Sequence, residues 1–421
     1  MKDTTEPFSA PPREHGRGTL RSLVPLLAAN ALFACGLFVH AFLFNFYLKA
    51  LGATTTVMGH QAAALTVGGM IALLPTGAVV DRAGARLALT FAAIFTALAL
   101  AAGAVVTSTP LIYAAAIGAG AGTSCWRVAT SPLLIRATSS DRRARALSWN
   151  VALLVATGGM WTAAAGALPA WLERAYDVAP IESIRISLLL GAAVTLASGF
   201  LFWRVTGGFT SVPAVDSSDP TRTTSGFSLR GIPVWVLVII PLVALWMTGY
   251  GMVLPFVNIF FTDVWKLPVE RVGVIMASGQ WVAAFGVAVS GEIAHRIGPA
   301  RMLAAWLLIP APLLWLLAGS QSLGLSVPLY LVLTIVAPAV FPLVDQVVLE
   351  RVSESRHGVV SGFRNLATEA SGAAGASVGG GVLRLGSFGL LLTVAGGLSM
   401  AAAIGLLASL FRGRSRAHSL A

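Results

Sequence analysis

The chain has 421 residues, of which 56% are apolar and only 11% charged, and its formal net charge is +11. Soluble domains carry roughly 25% charged residues, and a mean hydropathy of +0.81 means more apolar surface than a water-soluble core of this size can hide. No block of basic residues is interleaved with aromatics, so the positive charge points to membrane topology and anionic lipid, with no nucleic-acid partner expected.

In chain order, residues 1–21 are polar, with Pro7, Pro11 and Pro12, and read as a disordered cytoplasmic tail. A bilayer-spanning helix needs about 20 apolar residues, and twelve such runs follow, at 23–48, 57–79, 87–106, 111–136, 147–169, 185–204, 232–262, 270–293, 302–318, 326–350, 358–384 and 386–411. The first is too long for a signal-peptide core and lacks a cleavage site, so it stays as a span. The seventh is overlong, which predicts that it tilts or extends beyond the membrane. Residues 205–231, rich in Ser, Thr, Pro, Asp and Gly, read as a cytoplasmic linker between a first bundle, 22–204, and a second, 232–411; residues 412–421 form a basic cytoplasmic tail. The expected fold is an all-α polytopic membrane protein of two pseudo-symmetric six-helix bundles.

Orientation follows from the basic residues, because positive loops stay in the cytoplasm. With the N-terminus inside, twenty of the 28 Lys and Arg fall on the inner side, six on the outer side, and Arg127 and Arg364 lie within spans. Both termini are therefore expected inside a cell (plasma) membrane. Cys35 and Cys125 lie in separate spans and suggest neither a disulfide nor a metal site.

The chain also repeats itself. Gly77-Ala-Val-Val-Asp81-Arg82-Ala-Gly84-Ala-Arg86 is echoed by Gly291-Glu-Ile-Ala-His295-Arg296-Ile-Gly298-Pro-Ala-Arg301, with 291 − 77 = 214. Asn45 matches Asn258, and Asp141-Arg-Arg143 matches Glu354-Ser-Arg356, at 258 − 45 = 213 and 354 − 141 = 213. Each Gly-rich run is a short charged turn between two spans. The pattern resembles the loop between helices two and three of the major facilitator superfamily, and with the span count, linker and inside termini the likeness covers Leu23 to Phe411.

The resemblance implies two parallel halves around a midplane site, the architecture of secondary transporters that work by alternating access. It also implies that Asp81 sits near the inner N-terminus of span eleven, around Gly358, where a carboxylate meets the positive helix end. That latch would hold the outward-open state. Gly77 and Gly84 are read as permitting close helix approach and a tight turn, and Arg82 and Arg86 as holding the turn at the inner surface; a plain positive turn is the simpler reading. In the second copy His295 stands at the acid position, so one strong latch is expected rather than two. The antiporter signature of this superfamily, Gly-x-x-x-Gly-Pro-x-x-Gly-Gly in span five, is absent from Gly158-Gly159-Met-Trp161-Thr-Ala-Ala-Ala-Gly166. A partial version, Gly372-Ala-Ala-Gly375-Ala-Ser-Val-Gly379-Gly380-Gly381, lies in span eleven, where close packing of small residues explains it. Efflux and uptake both remain open.

Intramembrane charges are expensive and mark function. Arg127 in span four and Glu369 in span eleven are the two placed deepest, one per half and of opposite sign. They read as a structural ion pair, or as an anion-binding group and a proton carrier. In the second case a solute that draws Arg127 away from Glu369 favours protonation of the carboxylate and couples the two fluxes. Asp345, beside Gln346 near the inner end of span ten, reads as a solvated or latch residue before a proton carrier. His40 could titrate, or simply pack in the helix wall. Asn45 and Asn258 gain weight because spans one and seven line the cavity in the superfamily. Gln280 and Trp281, with Trp126, Trp149 and Trp246, suit an amphipathic ligand or serve as packing.

A monomeric secondary transporter of a small organic solute, driven by a proton gradient and without a cofactor, is the expected function. A facilitative uniporter and a transporter-like sensor that binds without transport are the alternatives. A membrane enzyme would need a cluster of His, Asp or Cys at one level, and no Walker-type phosphate loop is present for direct use of ATP.

Overall fold

The computed structural model describes residues 20–136, 138, 143–205, 234–350, 352–353 and 356–418, and no β-strand occurs among them. Nearly all of the expected N-terminal tail and of the linker therefore lies outside the described residues, as do Asp141, Glu354 and the side chain of Asp81, while Leu20 and Arg21 are helical instead. The first half consists of α1 (Leu20–Ala50), α2 (Thr55–Val105), α3 (Thr109–Arg136), α4 (Arg143–Tyr176) and α5 (Pro180–Val205). The second consists of α6 (Val234–Val253), α7 (Val257–Asp263), α8 (Val269–Ile297), α9 (Pro299–Leu308), α10 (Pro310–Ala318), α11 (Leu323–Leu349), α12 (His357–Leu385) and α13 (Phe388–His418). The last helix continues through most of the expected basic tail. Ten segments of the described residues are long and apolar enough to cross a bilayer. In that environment a helix satisfies its own backbone, which is why the spans are helical throughout. The long helices α3 and α12 are not among the ten; they carry Arg127, Arg364 and Glu369.

Helix breaks fall where the sequence demands them. Gly84 has φ 80° and ψ 157° within α2, and Gly298 has φ 92° and ψ 141° between α8 and α9. Both conformations suit only glycine, so the duplicated motif encodes the same turn twice. The two limbs of α2 then pack on opposite parts of α3 at one level, since a methyl added at Gly68 would strike the Ile117 carbonyl while Gly118 faces Ala99. Gly77 behaves otherwise: nothing lies within 4 Å of a Cβ built there, so the close approach expected of it is not made in this conformation. The seventh span does not tilt as one overlong rod. It divides into α6, a 3-10 turn Leu254–Phe256 and α7, because Pro255 has no N–H to donate and its ring crowds the preceding turn.

The molecule has a terminal end, where Leu20 and His418 lie, and a far end, where α1 stops at Ala50 and α7 at Asp263. At the far end one apolar cluster joins both halves: Phe42, Phe46, Tyr47, Met58 and Ala165 with Phe256, Phe260, Phe261 and Val272. Toward the terminal end the core is divided, with Leu26, Phe33, Leu89, Leu133 and Phe202 in the first half and Val236, Val243, Leu303, Val340 and Val360 in the second. The Gly-rich run of α12 is a packing surface. A Cβ at Gly375 or Gly379 would strike the Thr248 or Met252 carbonyl of α6, and one at Gly380 the Thr55 carbonyl of the first half.

Candidate functional site

Arg127 lies nine residues before the end of α3 and Glu369 twelve residues into α12, which at the helical rise is roughly 14 and 18 Å from the terminal end. The two helices belong to opposite halves, yet Arg127 Nη2 stands 3.7 Å from Glu369 Oε1. That separation exceeds the roughly 2.7–2.9 Å of a charge-assisted hydrogen bond. The side chains are 57% and 42% exposed, and neither makes a hydrogen bond among the described residues. The pair attracts across the gap while both groups keep their hydrogen-bonding capacity for another partner.

A second pair has the opposite character. Arg364 Nε is 2.8 Å from Asp345 Oδ1 with the Arg364 side chain only 7% exposed, and Nη2 donates to Oδ2 at 3.2 Å. Both residues belong to the second half, on α11 and α12. Here a buried guanidinium meets a half-exposed carboxylate at two points, one of them a hydrogen bond, whereas Arg127 and Glu369 make none among the described residues. Arg364 is thus a third deep charge, one the sequence reading left without a role, and its partner is Asp345.

Above the Arg127–Glu369 pair the halves are sealed to the far end by bonds between mostly neutral groups. Asn45 Nδ2 donates to the Pro255 carbonyl and lies 3.4 Å from Asn258 Oδ1, while Asn258 Nδ2 donates to the Phe42 carbonyl at 2.7 Å. Between α4 and α8, Gln280 Nε2 donates to Thr162 Oγ1 at 2.8 Å and Trp281 Nε1 to the Ala156 carbonyl at 3.3 Å. A Cβ built on Gly166 would stand 2.9 Å from the Gly273 Cα, which requires glycine at both places. Thr55 donates to the Gly380 carbonyl at 2.9 Å. At the rim, Lys49 pairs with Asp263 and Arg174 with Glu270.

Below the pair no bond joins the halves among the described residues. Among the described residues nothing lies within 4 Å of a Cβ built on Gly84, Gly298, Gly358 or Gly362. Arg86 stacks on Trp203 within the first half, 3.9 Å from the ring centroid, and Arg296 pairs with Glu292 one turn back at 2.9 Å. Arg82, His295 and Arg301 are exposed, and the surroundings of Gly291 lie outside the described residues. Among the described residues the chain therefore has a charged site at mid-depth, with bonds joining the halves above it and none below.

Arg127 and Glu369 are thus brought together, whereas Asn45, Asn258 and Gln280 are engaged in the seal. His40 is buried against Phe44, with ring centroids 4.0 Å apart, and its Nε2 lies 3.4 Å from the Gln61 amide. Trp126 donates to Asn30 Oδ1 at 2.9 Å and Trp246 stacks on Tyr250, so both are packing residues. Thr162, Lys49, Asp263, Arg174 and Glu270 escaped the sequence reading. One signal was available for Lys49 and Asp263: they stand 214 positions apart, and equivalent residues of two halves can touch only near the axis between them.

Among known proteins, the family model of the Major Facilitator Superfamily matches residues 26–376. The structure is similar to the crystal structure of the nucleoside transporter NupG, with a TM-score of 0.76 and 14% identity over 92% of this chain and 99% of that one. It is also similar to a bacterial homologue of the iron transporter ferroportin in an inward-facing state, TM-score 0.74 and 16% identity over 93% and 99%. A bacterial homologue of the human lysosomal transporter Spinster, inward-facing and unoccupied, gives 0.74 and 14% over 94% and 96%. No curated protein matches the sequence significantly.

Proposed function

The chain belongs to the major facilitator superfamily, and from that premise we propose that it is a secondary active transporter moving a small organic solute by alternating access, coupled to protons. The observation that carries this reading is the Arg127–Glu369 pair, one charge from each half, 3.7 Å apart at the top of the opening between the halves. Arg127 takes an anionic group of the solute, and Glu369, left without its cation, takes a proton. An unpaired charge at this depth is costly, so the loaded site favours both events together. The excess of Lys and Arg in the connections at the terminal end supports a cytoplasmic position for that end, and our reading takes the protein as a monomer of the plasma membrane. The conformation described is then inward-open, in agreement with the states of two of the structural relatives. In the outward-open state Asp81 docks at the N-terminus of α12 beside Gly358, which here is exposed. The cargo of the relatives belongs to those proteins, because cargo is set by cavity side chains that vary on a shared fold.

Counterflow in proteoliposomes against a panel of metabolites and drugs, with and without an imposed pH gradient, tests the reading. Gradient-driven accumulation is expected to vanish in Glu369→Gln while exchange persists, and affinity for anionic solutes to fall in Arg127→Ala. Accumulation that survives Glu369→Gln overturns the coupling role, and unchanged affinity in Arg127→Ala overturns the anion site.

A further inference from the structure

We propose that Asn45 and Asn258 form a reciprocal clasp that sets how often the far end opens, so that they act as gate residues and not as ligands of the solute. The two asparagines are 213 positions apart, and so are the two carbonyls they engage, those of Phe42 and Pro255. Each half therefore donates an amide to the equivalent backbone carbonyl of the other, and the two bonds interchange under the pseudo-twofold. Their burial, to 7% and 2% exposure, keeps water from competing for the same groups.

Local structure explains why these carbonyls are free to accept. In an unbroken helix the Ile259 N–H would bond to the Pro255 carbonyl. The break at Pro255 makes Ile259 one of the first residues of α7, whose N–H groups have no partner within the helix. Asn258 Oδ1 accepts from the Ile259 N–H at 2.9 Å, which leaves the Pro255 carbonyl facing Asn45. In α1 the Phe42 carbonyl has a second lone pair beyond the helical bond, and Asn258 Nδ2 occupies it. One asparagine thus satisfies a free N–H of α7 and clasps α1 at once. Both bonds are neutral, and interhelical hydrogen bonds in membranes are weak individually. A clasp of this kind closes the end without locking it, whereas a buried ion pair would resist separation.

The test uses the full chain in lipid nanodiscs with Cys35→Ser and Cys125→Ser, and with Ala165→Cys as the single reactive site. Ala165 is 1% exposed in the apolar cluster shared by both halves, so the reaction of a thiol placed there with a water-soluble maleimide reports the population open at the far end. Asn45→Ala and Asn258→Ala are each expected to raise that rate about threefold, and the double variant about eightfold. Thr54→Cys, exposed at the same end, should react equally in every background. If Asn258→Ala does not fold, Asn258→Ser, too short to reach Phe42 yet able to accept from Ile259, replaces it. An unchanged rate in the double variant overturns the clasp, and an effect from only one asparagine overturns its reciprocity. The proposal rests on alternating access; an Ala165→Cys thiol inert in every variant would overturn that reading and the clasp with it, whereas a reactive thiol with one rate throughout would overturn the clasp alone.

Discussion

The two ends of this molecule hold their halves in different ways. At the far end a single apolar cluster crosses the boundary, aided by neutral hydrogen bonds and by the Gly166–Gly273 contact. Toward the terminal end each half keeps a core of its own, and the strong interaction there, Asp345 with Arg364, lies inside one half. The ionic contact with a buried member lies inside one half, while the boundary that must part is held by neutral hydrogen bonds, small-residue contacts and exposed ion pairs. A transporter that rocks between two states needs that distribution, because every contact across the moving boundary adds to the barrier.

The largest effect should come from the rigid unit. Asp345→Ala leaves the buried Arg364 guanidinium without its counter-charge, a loss of about 3 kcal/mol by analogy with broken buried pairs, visible as a lowered thermal unfolding midpoint in detergent. Arg127→Ala, which breaks an exposed pair, should change stability by less than about 1 kcal/mol. Equal shifts for the two would erase the contrast between structural and ligand-facing pairs.

Next is the seal's closest contact. Gly273→Leu overpacks the α4–α8 boundary by about 1–3 kcal/mol without touching either core, so the far end should stay open and Ala165→Cys should react readily. Protection of that thiol in the leucine variant would mean the helices need not approach so closely. Gly84→Ala forces a side chain into a conformation that costs about 1–3 kcal/mol, read as lower stability; a matching loss in Gly298→Ala checks that the duplicated turn does the same work in both halves. Smallest is the rim. Lys49→Ala should raise far-end opening less than about fivefold at low salt, and by nothing measurable at about 1 M salt, where surface pairs are screened. An effect that persists at high salt would place this pair in the buried part of the seal.

Much of the architecture was legible because membrane spans and positive-φ glycines are local properties. The duplicated motif located Gly84 and Gly298, and the cost of a charge in lipid singled out Arg127 and Glu369 before any packing was known. The same rule applied to Arg364, but its partner sits on the neighbouring α11, and which helix faces which is not written in one helix. Asn45, Asn258 and Gln280 bond across the boundary between the halves in this conformation. Their position near the axis was readable from the repeat, but whether they face a cavity or each other depends on the conformation. The proline in the overlong seventh span was also in plain view, and the break it forces is what frees the Pro255 carbonyl.

That break has a thermal consequence. At seven residues, α7 is far below the roughly 12–15 residues at which an isolated helix becomes marginally stable in water. It stays ordered because Asn258 Oδ1 accepts from one of its free N–H groups, that of Ile259, and because Phe260 and Phe261 are buried in the shared cluster. When the far end opens, much of that support goes, and the segment gains conformational entropy of roughly 1–2 kcal/mol per released residue at room temperature, as TΔS. Opening breaks those hydrogen bonds and packing contacts, an enthalpic cost that the released entropy offsets, so the open population should rise on warming.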